Sequence, residues 1–116
     1  MTYQSKTKFA MENIKNYLPY LKPLNFDTSR PAVIDFYATW CGPCRTLAPS
    51  LERIQNEYVG RVQVLKIDVD KNEEFASAMR IQSIPTLLFV TRNGDFIRSV
   101  GGMPYSMLEE KVQTIL

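Results

Sequence analysis

The chain of 116 residues has no histidine and only two cysteines, and both shortages narrow its chemistry. Without an imidazole base, Ser-His and Cys-His mechanisms are excluded. A closed zinc site takes four Cys or His ligands. One chain offers two, which leaves only a metal bridging two chains, and no metal is expected. Apolar runs stop at about five or six residues, far short of the roughly 20 that cross a bilayer. No membrane partner is therefore expected. The net charge of +2, from 14 basic and 12 acidic residues, includes no basic run suited to nucleic acid and no acidic tail. Met1 to Lys8 lack the apolar core of a secretory leader. A cytoplasmic protein is expected, with an exported form whose leader was removed as the alternative.

What remains is ordinary globular composition, 45% hydrophobic and 22% charged, in a length that suits one domain with one core. Neither repeats nor low-complexity segments occur. Phe9 to Leu18 read as a helix ended by Pro19 and Pro23, followed by an irregular stretch from Tyr20 to Arg30. Ala32 to Tyr37 is a near-continuous apolar run, as in a strand buried on both faces, interrupted by Asp35. From Cys41 or Gly42 to Tyr58, Leu47, Leu51, Ile54 and Tyr58 share one helical face, with Pro49 inside the helix and Gly60 closing it. Val62 to Asp68 reads as a strand, and Asn72 as the cap of a short helix through Met79. Pro85 to Val90 and Phe96 to Val100 flank the turn signal Asn93-Gly94, and Tyr105 to Ile115 form a last helix behind Pro104. The alternation predicts an α/β fold, with parallel pairs, a terminal antiparallel hairpin and helices on both faces of a mixed central sheet.

Both cysteines lie in Trp40-Cys41-Gly42-Pro43-Cys44. A disulfide that staples a fold gains most from closing a long loop. This loop is nearly the shortest there is, which points to redox chemistry instead. The pair stands where a buried strand hands over to a helix. Free N–H groups and the positive end of the helix dipole there stabilise an anion. The Cys41 thiol should therefore ionise below its ordinary range, and the thiolate is the species that attacks a disulfide. Cys44, one turn further in, is expected to be more buried and to act as the resolving thiol.

With Asp35-Phe36-Tyr37-Ala38-Thr39-Trp40-Cys41-Gly42-Pro43-Cys44-Arg45, Ala48-Pro49, Lys66-Ile67-Asp68-Val69-Asp70, Ile84-Pro85-Thr86 and Gly101, the chain resembles the thioredoxin family over residues 31 to 116, roughly three quarters of its length. The resemblance implies a thioredoxin fold and a protein-disulfide reductase. Its substrates would be protein disulfides and its electron source a thioredoxin reductase or another upstream reductant. A monomer is expected, with no bound cofactor. Asp35, buried and with a raised pKa, would take the proton of Cys44 through water, tuned by Lys66 on the next strand. Pro85 would be the family's cis-proline, presenting the backbone of Ile84 to an extended substrate strand. Trp40, Ile84 and Gly101 would form an apolar rim around Cys41, and Gly42 and Pro43 would complete the substrate-binding set. In the family, the Gly-Pro dipeptide accompanies reductases. Thioredoxin couples lie at about −270 mV and protein disulfide isomerase at about −180 mV.

Two other readings stand beside this one: a disulfide oxidase or isomerase in an oxidising compartment, and a protein-binding module gated by its redox state. Residues 1 to 30 depart from the family pattern, and only Tyr3 to Thr7 could supply its usual first strand. The apolar residues Tyr20, Leu21, Leu24 and Phe26 are expected to pack back on a single domain spanning 1 to 116. Tyr37 stands where the family often has a second tryptophan. Arg80 stands where it often has glycine, which would make one rim of the substrate face more basic.

Overall fold

The computed structural model describes residues 12–116. The elements are β1 (Glu12–Asn13), α1 (Leu18–Leu21), β2 (Ala32–Tyr37), α2 (Gly42–Glu57), β3 (Gln63–Asp68), α3 (Glu73–Ala78), β4 (Thr86–Val90), β5 (Asp95–Val100) and α4 (Tyr105–Gln113). Tight helical turns at Ile14–Tyr17 and Lys22–Leu24 flank α1. The strands form one sheet in the order β1-β5-β4-β2-β3. Among the described residues only β2 and β3 run parallel, joined through α2, and the other neighbours are antiparallel. The β3–α3–β4 segment, predicted as a further parallel unit, instead returns β4 antiparallel on the other side of β2.

Alternation along the strands divides the core in two. Ile34 and Phe36 point to one face, where they meet Phe75 and Met79 from α3 and its end, and Ile14 and Leu21 from the N-terminal segment. Val33, Leu87 and Phe89 point to the other, covered by Leu47, Leu51 and Ile54 of α2 and Leu108 and Val112 of α4. Burial on both faces explains why β2 reads as a continuous apolar run. α2 runs through Pro49 without interruption.

The N-terminal segment differs from the predicted helix. Phe9, Ala10 and Met11 lie outside the described residues, as do Tyr3 to Thr7. Glu12 and Asn13 pair with Phe96 and Asp95 as an edge strand. Pro19 and Pro23 do not end a helix but sit in the first turns of α1 and of Lys22–Leu24. A first-turn residue has no intrahelical use for its N–H, so proline fits there. Leu21 is buried, and Tyr20, Leu24 and Phe26 pack against the same cluster. Asn13 fixes the segment to the β4–β5 hairpin. Its Nδ2 donates to Asn93 O at 3.3 Å and to Asp95 Oδ1 at 2.9 Å. A Cβ on Gly94, at φ +94°, would stand 2.7 Å from Asn13 Oδ1, so this close approach requires glycine. Arg98 completes the junction, holding Glu12 through two bonds of 2.9 Å and donating to Met79 O at 2.7 Å.

Smaller differences have local causes. Asn72 occupies the cap position of α3, but its Nδ2 donates to Asp68 O at 3.0 Å and its side chain caps nothing. α2 ends at Glu57, where Tyr58 caps it, and the left-handed Gly60, at φ +80°, lies in the turn beyond. α4 stops at Gln113, two residues before the predicted end, and Pro104 is its cap.

Candidate active site

Strand β2 ends at Tyr37, and the turn to α2 delivers Cys41 to the helix N-cap. Its backbone is extended there, at φ −86° and ψ 114°. The sulfur accepts a hydrogen bond from the Cys44 N–H at 3.2 Å. Sulfur thus takes the place usually filled by an oxygen cap. Gly42 and Pro43 form the first turn, where proline removes no helical bond. Cys41 and Cys44 are joined by a disulfide, with Cα atoms 5.3 Å apart. The expected difference in burial is absent, since each is 5% exposed in this oxidised form. What distinguishes the two sulfurs is the helix N-terminus, where Cys41 receives an N–H.

The backbone of Ile84 lies against the disulfide, its carbonyl oxygen 3.8 Å from Cys41 Sγ. The Ile84–Pro85 peptide bond is cis. Pro85 O accepts the N–H of Gly101 at 2.8 Å, which brings the turn after β5 alongside; Gly101 has φ +93°. Trp40 is 67% exposed, so it is not a core residue. Its indole N–H donates to Asp70 at 2.8 Å, which fixes the ring beside the cysteines. The role of Asp70 was not evident from the sequence. Its one signal is a place just past the end of the strand next to β2. Val100, 64% exposed, adds apolar surface where the chain leaves β5.

Asp35 is 1% exposed, and its Oδ1 has no hydrogen-bond partner among the described residues. By alternation it shares the face of Val33, under α2 and α4. Burial pushes its pKa from 3.8 up to about 6, and the charge of Lys66 opposes the rise. Lys66 is its register partner on β3. The lysine is exposed, and its Nζ stands 4.5 Å over the Tyr37 ring, a cation–π contact. A cleft of about 250 Å³ runs between Cys44 and Lys66, bounded by Tyr37, Thr39, Arg45 and Ala48. Arg80, at φ 57°, is the left-handed residue just past Met79, the C-cap of α3, and its charge acts on Glu12 at the β1 edge.

This arrangement can hold a thiolate at a helix end, close it into a disulfide with a thiol one turn away, and present both to an extended chain. The thioredoxin family model matches residues 13–114. A thioredoxin of Borreliella burgdorferi is 39% identical over 92 residues, covering 79% of each chain. The chloroplastic thioredoxin-like protein CITRX2 of Nicotiana benthamiana is 41% identical over 88 residues, 74% of this chain but 49% of that longer protein. A crystal structure of chloroplastic thioredoxin z superposes with a TM-score of 0.73 at 35% identity, covering 86% of this chain and 88% of that one. With its cysteine pair at disulfide distance in the matched region, the chain belongs to the thioredoxin family and is a thiol–disulfide oxidoreductase.

Proposed function

We propose that the chain reduces disulfides of other proteins, with Cys41 as nucleophile and Cys44 as resolving thiol. The observation that carries this reading is the Cys41 sulfur at the N-cap of α2, accepting the Cys44 N–H at 3.2 Å. In the reduced protein that N–H and the helix dipole favour the Cys41 thiolate. The thiolate attacks one substrate sulfur, the substrate S–S bond breaks, and a mixed disulfide forms as the other sulfur leaves. Cys44 then gives up its proton and attacks Cys41 Sγ. The second substrate sulfur departs as a thiolate, and two electrons have passed to the substrate. The Cys41–Cys44 disulfide is the oxidised end of this cycle.

Asp35 is the base we assign to the resolving step, acting through water in the cleft beside Cys44, with Lys66 holding its pKa down. A carboxyl titrating at about 6 is largely ionised at neutral pH and can accept a proton there. Trp40, Ile84, Gly101 and the Gly42-Pro43 turn are the surface on which we place the substrate strand, with the Ile84 backbone as its pairing edge beside cis Pro85. An external dithiol donor, in our reading a thioredoxin reductase, regenerates Cys41 and Cys44. We read residues 1–116 as a single domain acting as a monomer in a reducing, cytoplasmic compartment. Among the described residues no helix is long and apolar enough to cross a membrane.

Cys44→Ser is expected to accumulate mixed disulfides with substrate proteins, and Cys41→Ser is not. Non-reducing electrophoresis followed by mass spectrometry reads this directly, and equal trapping by both variants would overturn the assigned roles.

A further inference from the structure

Beside the disulfide lies a groove of about 490 Å³ lined by Pro43, Thr46, Leu47, Gly102, Met103 and Pro104. One wall is the first turns of α2, and the other is the connection from β5 to α4. The left-handed Gly101 sets the course of that connection. Its floor, Leu47, is 3% exposed and belongs to the core under α2 and α4, against which Met103 also packs.

The groove offers little to a polar group. Pro43 and Pro104 have no N–H. The Thr46 hydroxyl donates to Gly42 O at 3.3 Å. Pro104 O already accepts from the N–H groups of Met107 and Leu108, both at 3.1 Å. Gly102 adds no side chain, and nothing stands within 4 Å of where its Cβ would be. What remains accessible is chiefly carbon and the Met103 thioether, which adapts its shape readily. The groove is also continuous with the reaction surface, because Pro43 lies between the two cysteines.

We propose that this groove is a subsite for one large apolar side chain flanking the reacting cysteine of the substrate, and that Met103 determines its preference. This rests on the reading given under Proposed function. Burying a leucine side chain there should raise the rate about tenfold or more when the burial is realised at the transition state.

The test uses short peptides carrying one cysteine as a mixed disulfide with glutathione, identical except for Leu or Ser at successive flanking positions. Second-order reduction rates are measured with the reduced protein. At one flanking position Leu is expected to exceed Ser about tenfold. Met103→Asp should bring that ratio below about twofold, and Met103→Leu should retain it. A variant that merely folds poorly lowers both rates together and leaves the ratio unchanged. An unchanged ratio in Met103→Asp, or equal rates at every position, overturns the subsite. Sedimentation of the unsubstituted protein at assay concentration is the companion measurement. A dimer whose dissociation by Met103→Asp speeds both peptides equally would give the groove to a second copy and also overturn it. Failure to reduce any of the peptides would overturn the reductase reading itself.

Discussion

Along β2, Ile34 and Phe36 enter an aromatic cluster, while Val33 and Asp35 turn to the face beneath α2. The first face is built for cohesion. Phe36 meets Phe75 edge to face at 5.2 Å, and Tyr20 stacks on the other side of the same cluster at 5.1 Å from Phe75. The second face accepts a carboxylate that is 1% exposed with an unpartnered oxygen, an arrangement that opposes folding whenever the group is charged. One strand thus supplies stability through its even positions and holds a proton acceptor through an odd one. The difference shows why the N-terminal segment, remote from the cysteines, still bears on the site: it thickens the face that offsets the strain of the other.

The largest expected effect comes from breaking the cohesive face. Phe36→Ala should destabilise by about 3–5 kcal/mol, read from urea unfolding, because the ring is fully buried and its removal leaves a cavity in the cluster. A loss below about 1 kcal/mol would mean that the cluster contributes little.

Asp35→Asn should act in the opposite direction. The folded-state pKa of Asp35 is raised from 3.8 to about 6, so between these values the folded chain holds a proton that the unfolded chain has released. Stability therefore falls as pH rises through that window. The rise corresponds to about 3 kcal/mol, fully expressed above the folded pKa and absent below the unfolded one. Asp35→Asn should stabilise the protein by up to that amount at pH 8 and scarcely at all at pH 3.5. It should also slow turnover and remove the rise in resolving rate between pH 5 and 7. A variant with unchanged stability at pH 8 would show that the carboxylate is solvated, and unchanged rates would remove it from the mechanism.

Tyr20→Ala sharpens the comparison at a smaller scale. The ring is half-buried and stacked on Phe75, so a loss of about 1–2 kcal/mol is expected, with reductase rates unaffected. A change in rate without a change in stability would connect this segment to the site directly.

The elements from β2 to α4 were legible because their apolar positions follow clear periods and the sheet buries nearly all of them. The N-terminal segment was not. β1 has two residues, too few for any pattern, and its position depends on contacts of Asn13 and Glu12 with the distant hairpin. Proline marks a helix stop and a helix start alike, and only tertiary packing decided between them at Pro19 and Pro23. At the site, Cys41, Cys44 and Asp35 could be read from spacing and interrupted hydrophobicity. Trp40 was assigned to the rim by resemblance alone, since by composition an apolar ring suits a core or a rim equally; Asp70, across the fold, holds it at the surface. The groove at Met103 was also hidden, because it forms only where two connections far apart in sequence meet.

The reduction potential of the Cys41–Cys44 couple, measured by equilibration in dithiothreitol or glutathione buffers, tests the central claim most directly. A protein-disulfide reductase with Gly42-Pro43 between its cysteines should give a value near or below about −270 mV. A value near about −180 mV or higher would make the protein an oxidant or isomerase and contradict the direction of electron flow argued above.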